Sequence, residues 1–215
     1  VTGAMRGAEA PGADGPANLL AAARVAAAPE ARGLGTLVVL NYDIHAARFV
    51  QKSHTTLPSA FESPQSGRLG LVAEGRPRFF ARVLPTPRYA VGDGPPPPIA
   101  LVKCAMGDDG RQLSTIPDLG YAGMVLEGMG AGHVLASVAP IVGAVAAKIP
   151  VVLASRLTTG PVFTQTYGYD GSEIDLIKRG VVPAGYLSGL KARLLLGLVL
   201  RRDRGSVAEA FAAYQ

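Results

Sequence analysis

Lys52 lies between an apolar stretch and a group of hydroxyl side chains, in the segment FVQKSHTT at residues 49–56. Ser53, Thr55 and Thr56 follow it closely. A lysine that is partly withdrawn from water has a lowered pKa and can act as a base toward a hydroxyl group. Most lysines, however, are solvated surface charges. The segment by itself leaves two interpretations open: a catalytic base or a surface charge.

A glycine-rich segment, EGMGAGHV at residues 127–134, follows a predicted strand and precedes a predicted helix. Its backbone N–H groups could point toward a bound anion at the start of that helix. The glycines at 128, 130 and 132 do not have the GxGxxG spacing, and no acidic residue ends a suitable second strand. The alternative is a tight strand-to-helix turn. We therefore predict no dinucleotide and no other cofactor.

Three carboxylates, Asp170, Glu173 and Asp175, occur in the segment YGYDGSEIDL at residues 167–176. Acidic residues are favoured in the first turn of a helix, and Ser172 is a suitable N-cap. The pattern thus predicts a capped helix that begins near Glu173.

The histidines and the single cysteine do not indicate a metal site. His45, His54 and His133 lack the spacing of metal ligands, and Cys104 is the chain's one thiol. Cys104 ends the apolar segment IALVKC, which predicts a buried, structural thiol.

The charge pattern argues against nucleic-acid and membrane partners. The net charge of +5 is spread along the chain, and Arg201, Arg202 and Arg204 lie where a helix is predicted to end, a position that favours cations. Residues 134–147 are uncharged but too few to span a bilayer, and they include a proline.

The first part of the chain reads as a helix, a strand and then shorter pieces. Asp14 near the cap and Pro16 in the first turn predict a helix over residues 13–28. The apolar run GTLVVLN at 35–41 predicts a strand buried on both faces of a parallel sheet. Residues 42–90, with pieces such as RPRFFARV, predict a hairpin or edge strands.

The later part of the chain predicts a second α/β unit, with helices stacked on both faces of a sheet. Ser188 and Ser206 mark the starts of the two helices that close it. The predicted strands are residues 99–104, 122–128 and 149–155, and the predicted helix between the last two is residues 133–148.

Five segments, taken in order, resemble one protein family. They are VTGAMR at 1–6, ADGPANLL at 13–20, the long segment 35–70, the glycine loop at 128–132, and YGYDGSEIDLIKRGVVPAGYLSGLKARLLL at 167–196. Together they resemble L-asparaginase, the family of threonine amidohydrolases. The resemblance covers nearly the whole chain.

The resemblance implies an α/β fold with two domains: the remainder of a larger N-terminal α/β domain, and a smaller C-terminal three-layer α/β domain with a mainly parallel sheet. We expect these domains at residues 1–91 and 99–215, with the segment GDGPPPP at 92–98 as the linker. The family assembles into dimers and tetramers, so a homo-oligomer, a dimer of dimers, is expected. The implied reaction is hydrolysis of L-asparagine, with L-glutamine as an open second substrate.

In that reaction a threonine hydroxyl attacks the side-chain amide, ammonia leaves, and water releases aspartate. Lys52 corresponds to the catalytic lysine, which activates a threonine through an aspartate and a second threonine. Glu173 corresponds to a carboxylate that reaches across the dimer interface to the amino group of the substrate in the neighbouring subunit. His133 corresponds to a polar position near the same interface.

The sequence departs from the family pattern in four respects. Neither a threonine turn of the TGGTI type nor an HGTDT motif occurs within residues 1–215. Tyr42 replaces the usual acidic residue after Asn41, and Arg48-Phe49-Val50-Gln51-Lys52 replaces Arg-Asp-Val-Thr-Lys. Since Val1 corresponds to mid-strand, we expect roughly the first third of the family's chain to be absent and the edge of residues 35–41 to be exposed.

An amide is a poor electrophile, and a lysine without a nucleophile to deprotonate cannot lower that barrier by covalent catalysis. We therefore expect the chain alone to be nearly inactive. Three hypotheses remain: a partial record of an ordinary asparaginase, a remodelled relative that binds or oligomerises without hydrolysis, and a binding module of the same α/β class. A cytoplasmic location is predicted, although an export signal would precede Val1.

Overall fold

The computed structural model describes residues 1–89, 91, 94–201 and 207–215. The chain divides into two compact units, Val1–Pro85 and Thr86–Gln215. The predicted linker at 92–98 begins with Gly92 and Asp93, which lie outside the described residues.

The N-terminal unit is one helix on a small antiparallel sheet. Helix α1 spans Gly15–Ala27, and a short 3-10 helix follows at Pro29–Ala31. Strands β1, β2, β5 and β6 form the sheet in that order, while β3 and β4 pair separately. The strands are β1 (Leu37–Leu40), β2 (Asp43–Ala46), β3 (Gln51–Lys52), β4 (Phe61–Glu62), β5 (Gly70–Ala73) and β6 (Arg76–Phe79).

Strand β1 was predicted correctly as a strand, but the prediction of a parallel sheet around it was wrong. It pairs antiparallel with β2 through a turn at Asn41 and Tyr42, whose φ angles are 49° and 65°. On its other side, the Val1 amine donates to the Leu37 carbonyl (2.8 Å) and the Thr2 hydroxyl to the Val39 carbonyl (2.6 Å). The expected bare edge is therefore partly covered, because the first residues of the chain bond to it.

The predicted hairpin after residue 42 is confirmed by β5 and β6, which pair antiparallel around Glu74 and Gly75. Both turn residues have positive φ, which suits the right-handed twist of a two-residue hairpin. Val72 of this hairpin packs with Val25 of α1 in the small core of the unit.

Asp14 occupies the predicted cap position of α1, but its side chain does not cap the helix. The carboxylate accepts hydrogen bonds from the backbone N–H groups of Met5 and Arg6 and from the Asn18 amide. The two backbone bonds are the main reason that the pKa of Asp14 is lowered. Asp14 thus ties the first residues of the chain to α1, which begins with Pro16 in its first turn as predicted.

The C-terminal unit is an α/β domain with a parallel sheet, as predicted. Its four described strands lie in the order β10, β9, β8, β7, and each neighbouring pair is parallel. The strands are β7 (Ile99–Lys103), β8 (Gly123–Gly128), β9 (Val151–Ser155) and β10 (Val182–Pro183). The helices are α2 (Arg111–Thr115), α3 (Ala139–Ala146), α4 (Glu173–Lys178), α5 (Gly189–Leu200) and α6 (Val207–Ala212).

Both faces of this sheet are buried, which explains the continuous apolar sequences of its strands. Met124 and Leu126 belong to the core on the side of α2, α3 and α4, whereas Val125 between them belongs to the core under α5 and α6. All three are fully buried. The result is the predicted three-layer arrangement. Successive side chains along each strand point to opposite faces of the sheet, so each strand contributes to both cores.

The helix predicted from residue 133 begins only at Ala139, because the His133 backbone bonds to Met129 and the Val134 N–H to the Gly171 carbonyl. Ser188 precedes α5 as predicted, whereas Ser206, Arg202 and Arg204 lie outside the described residues. Among the helices that the structure describes, none has the length and apolar character that crossing a bilayer requires.

Replacing Gly70 by alanine is expected to destabilise the N-terminal unit. A Cβ there would lie only 2.0 Å from the Arg78 carbonyl oxygen of the paired strand, so the backbone must move. We expect a loss of roughly 1–3 kcal/mol, as for other overpacking substitutions, measured by urea unfolding. Gly7→Ala is the matched control, since a Cβ at Gly7 meets nothing within 4 Å. Equal unfolding midpoints for the two variants would contradict the prediction.

Candidate functional site

The predicted site residues lie in both units of the chain. Lys52 belongs to the N-terminal unit, whereas Glu173 and His133 belong to the C-terminal unit and contact each other.

Lys52 is an exposed residue of β3, opposite Phe61 of β4. Within the part of the chain that the structure describes, its ammonium group forms no hydrogen bond or ion pair. The nearby hydroxyl groups bond to other partners. The Ser53 hydroxyl donates to the Ala60 carbonyl (3.1 Å), and the Thr55 and Thr56 hydroxyls bond to each other (3.2 Å). No hydroxyl of this segment is thus bonded to Lys52, and its catalytic role stays a prediction.

Glu173, the first residue of α4, has a fully buried side chain. Its Oε1 atom accepts hydrogen bonds from the backbone N–H groups of Thr166 (2.9 Å) and Tyr167 (2.7 Å). Its Oε2 atom lies 3.0 Å from Nε2 of His133. A buried carboxylate needs such donors, because leaving its charge unpaired inside the protein costs several kcal/mol.

These contacts keep Glu173 ionised. Burial acts to raise the pKa of its carboxyl group, but hydrogen bonds from the backbone N–H groups of Tyr167, Glu173 itself and Thr166, together with His133, outweigh burial and lower the pKa below its usual value. A group that is charged at neutral pH therefore lies beneath the surface at this point.

His133 connects this buried carboxylate to the surface. Its Nδ1 atom lies 2.8 Å from the hydroxyl of Tyr169, and its ring meets those of Tyr167 and Tyr169 edge-on, with centroids 5.1 and 5.5 Å away. The His133 side chain is 17% exposed, and Tyr169 is 53% exposed. An aromatic cluster (His133, Tyr167 and Tyr169) thus covers Glu173.

The glycine loop after β8 positions His133 by forming a tight turn. The backbones of Met129 and His133 exchange two hydrogen bonds of 2.8 Å, and Ser155 donates its hydroxyl to the Gly130 carbonyl (2.6 Å). Gly132 has a φ of 109°, and a Cβ there would meet Val162 at 2.9 Å. Since the N–H groups of Met129 and His133 bond within the turn and α3 begins later, the geometry favours the tight-turn interpretation over an anion-binding loop.

The start of α4 positions Glu173. Ser172 is at the predicted N-cap, but its hydroxyl donates to the Tyr167 carbonyl (2.7 Å) and not to the helix. Asp175 accepts a hydrogen bond from the Gly171 N–H (2.9 Å), and Gly171 has a φ of 85°. These bonds hold residues 166–172 folded over the carboxylate.

Sequence reasoning missed Thr166, Tyr167 and Tyr169. The two tyrosines are separated by one glycine and lie just before the predicted helix, so their spacing was visible in the sequence. Nothing local indicated that they meet His133, because Tyr169 follows it by 36 residues.

Cys104 lies away from this cluster, beside a cavity of about 250 Å³ that is also lined by Asp108 and Arg111. It is 2% exposed, and burial raises the pKa of its thiol. A buried, protonated thiol is unreactive, which agrees with the structural interpretation.

The other two histidines, His45 and His54, lie apart from His133 in the N-terminal unit. His45 is buried and bonds through Nδ1 to the Ser63 hydroxyl (3.0 Å), and His54 is exposed. In the described residues, no three or more His, Cys, Asp or Glu side chains group as ligands of a metal ion.

Both units match models of known families. Residues 1–84 match the family model described as Asparaginase, N-terminal, and residues 98–211 match the one described as Glutaminase/Asparaginase C-terminal domain. The chain belongs to the asparaginase family.

Individual relatives agree with this assignment. The chain is 32% identical to the L-asparaginase of Bacillus licheniformis over 98% of its own length and 65% of that protein, and 37% identical to a probable L-asparaginase of Deinococcus radiodurans over 93% and 62%. A solved structure of a probable cytoplasmic L-asparaginase from Campylobacter jejuni aligns with a TM-score of 0.89 at 31% identity, covering 99% of this chain and 68% of that one. The chain thus spans less than two thirds of the curated relatives named here.

Replacing Glu173 by glutamine is expected to lower the free energy of unfolding at pH 7 by roughly 1–3 kcal/mol, because hydrogen bonds to a charged acceptor are lost. Since the folded pKa of Glu173 is depressed, its contribution is present above the unfolded pKa near 4.5 and is lost as pH falls through the folded value. The difference between wild type and variant should therefore shrink as the pH falls below 4.5 and vanish below the folded pKa of Glu173. Urea unfolding at several pH values measures this.

Asp170→Asn is the matched control, since Asp170 is an exposed carboxylate of the same loop. We expect its effect to stay within about 0.5 kcal/mol. A Glu173→Gln variant as stable as this control at pH 7 would contradict the burial argument.

Proposed function

We propose that this chain forms part of an L-asparaginase, which hydrolyses L-asparagine to L-aspartate and ammonia through a threonine nucleophile. The observation that carries the proposal is that both asparaginase domain models match, in order, along almost the whole chain. The named relatives are L-asparaginases, which supports asparagine as the substrate.

Lys52 is the proposed catalytic residue of this chain. An exposed ammonium without partners among the described residues is free to meet an aspartate and a threonine supplied beside it. There the lysine, acting as the neutral amine, takes up the proton that the threonine hydroxyl releases as it attacks the amide carbon, and the same proton then passes to the departing amide nitrogen. Ammonia then leaves, and water hydrolyses the acyl-enzyme.

Glu173 and His133 are the proposed substrate-binding residues, acting on a neighbouring subunit. Glu173 supplies a negative charge that attracts the substrate's ammonium group, and its lowered pKa keeps that charge at neutral pH. His133 holds the carboxylate in place through the bond from Nε2 to Oε2.

Residues 1–215 by themselves are proposed to release little ammonia, because no TGGTI-type turn and no HGTDT motif occurs among them. Losing a nucleophile together with its partners removes most of the rate of an enzyme. The alternative is a protein of this family that binds or oligomerises without hydrolysis.

A chimera tests the reaction. The part of the Bacillus licheniformis L-asparaginase that lies outside the match is placed before Val1, and ammonia release from L-asparagine is measured. We expect turnover from the chimera and almost none from residues 1–215. Lys52→Ala should lower kcat by at least about a hundredfold, the usual contribution of a general base.

Lys148→Ala is the matched control, because this lysine is also exposed and belongs to the other unit. An inactive but folded chimera would favour the non-catalytic alternative. Turnover by residues 1–215 alone, abolished by Lys52→Ala, would falsify the requirement for the nucleophile segment.

We also propose that the chain assembles into a homo-oligomer, a dimer of dimers. The supporting observation is a pair of exposed leucines one turn apart on α5: Leu190 is 66% exposed and Leu194 is 70% exposed. Apolar side chains that line up on one helix face gain free energy when a second surface covers them.

The double substitution of Leu190 and Leu194 by glutamate is expected to dissociate the oligomer, because charges are costly in an apolar contact. Sedimentation measures the change, and circular dichroism checks the fold. Leu119→Glu is the control, since Leu119 is 68% exposed but lies outside α5. Unchanged sedimentation of the double variant would remove α5 from the interface.

A cytoplasmic location is the last part of the proposal. It is supported by the Campylobacter jejuni protein, which is described as a probable cytoplasmic L-asparaginase, while a relative from Haemophilus influenzae is described as a probable periplasmic one. Fractionation of cells that produce the protein decides between the two, and recovery in the periplasm would reject the proposal.

A further inference from the structure

Strands β3 and β4 form a short ribbon that carries Lys52 and lies outside the four-stranded sheet of the N-terminal unit. Lys52 pairs with Phe61, and the Ser53 N–H donates to the Ala60 carbonyl (2.7 Å). Each strand of the ribbon has only two residues. Because an isolated pair of strands is at best marginally stable in water, the position of Lys52 depends on contacts between the ribbon and the larger sheet.

His45 and Ser63 form one such contact. His45 belongs to β2, which pairs with β1 on one side and with β5 on the other. Ser63 directly follows β4 and comes two residues after the partner of Lys52, roughly 7 Å along the strand. Nδ1 of His45 lies 3.0 Å from the Ser63 hydroxyl oxygen, and the two residues are 3% and 6% exposed. A buried side-chain hydrogen bond thus joins an interior strand of the sheet to the end of the ribbon.

The His45 ring is neutral at pH 7. Burial is the main cause that lowers the pKa of its imidazole below the usual value; Arg68 acts in the same direction, and Asp43 and Glu62 act in the opposite one. In a neutral imidazole one nitrogen donates and the other accepts, and a serine hydroxyl can do either. Nδ1 is therefore matched to the Ser63 hydroxyl in both tautomers.

The second ring nitrogen makes this hydrogen bond difficult to give up. Nε2 of His45 is buried and has no hydrogen-bond partner among the described residues. If β4 moved and the bond to Ser63 broke, both ring nitrogens would be buried without a partner, which is unfavourable. The bond therefore opposes displacement of β4 and, through the pairing of β4 with β3, displacement of Lys52.

We propose that His45 and Ser63 are positioning residues for Lys52. Their hydrogen bond holds the ribbon at a fixed place on the sheet, so that the lysine amine meets its catalytic partners within hydrogen-bond distance. A misplacement of about 1 Å can lower the rate of an enzyme by roughly a hundredfold. The inference rests on the proposed function, because Lys52 has to act in catalysis for its position to affect the rate.

Hydrogen exchange of the 215-residue chain, followed by mass spectrometry, tests the contact without any reaction. Ser63→Ala is expected to raise the exchange rate of the protected amides in residues 51–62 by roughly tenfold and to leave residues 70–79 unchanged, since only the ribbon loses its contact. Ser66→Ala is the matched control, because Ser66 is an exposed serine of the same loop and its hydroxyl bonds to Gly67. Equal exchange of residues 51–62 in the two variants overturns the proposal. An equal rise over residues 70–79 also overturns it, since the pair would then only support the fold.

Kinetics of the chimera separate positioning from folding. His45→Phe and Ser63→Ala are each expected to lower kcat by about tenfold and to leave KM within about twofold, because they act on the base and not on substrate binding. The double variant should lose no more than either single variant, since both remove the same bond. Neither substitution should have a further effect once Lys52 is replaced by alanine. Additive losses, or a loss confined to KM, reject the positioning role.

Each arm decides by itself. If His45→Phe does not fold, Ser63→Ala carries the comparison, because it removes one hydroxyl and leaves the ring in place. An inactive wild-type chimera rejects the proposed reaction, and hydrogen exchange, which involves no turnover, then decides whether His45 and Ser63 hold the ribbon.

Discussion

A carboxylate that is fully enclosed by protein must find hydrogen-bond donors, and in this chain that constraint falls on Glu173. Its donors are the backbone of Thr166 and Tyr167 and the ring of His133, which precedes it by 40 residues. The Glu173 carboxylate therefore joins helix α4, the loop before it and the turn after β8, in addition to the bond between the Val134 N–H and the Gly171 carbonyl. Moving any one of them would remove part of the hydrogen bonding of that charge in a medium of low dielectric constant.

The parallel sheet makes this arrangement possible. Strands β8 and β9 are neighbours, and their last residues, Gly128 and Ser155, lie side by side. The turn that carries His133 follows one strand, and the Ser155 hydroxyl on the other bonds to that turn. Because parallel strands end at the same edge, residues distant in sequence meet there. The cores on both faces of the sheet then hold this edge rigid.

In the N-terminal unit, the candidate functional residue is exposed and not buried. Lys52 is exposed and has no bonded hydroxyl beside it among the described residues. A base of this kind has an effect on rate only when a nucleophile lies within hydrogen-bond distance. Family membership and catalytic competence are thus separate properties: the first follows from matched segments along the chain, and the second from the atoms next to one amine.

The sequence alone was sufficient for the features that depend on neighbouring residues. The alternation of apolar segments and turns predicted an α/β fold, Ser172 and the acidic residues after it predicted the start of α4, and the ordered segments indicated the family. It was not sufficient for contacts between distant segments. A continuous apolar run is compatible with parallel or antiparallel pairing, so the partner of β1 could not be inferred, and the late start of α3 depends on a bond to Gly171. The bond between Tyr169 and His133 and the burial of Glu173 arise only after the sheet has brought its strand ends together, because a hydrogen bond depends on distance in space and not on separation along the chain.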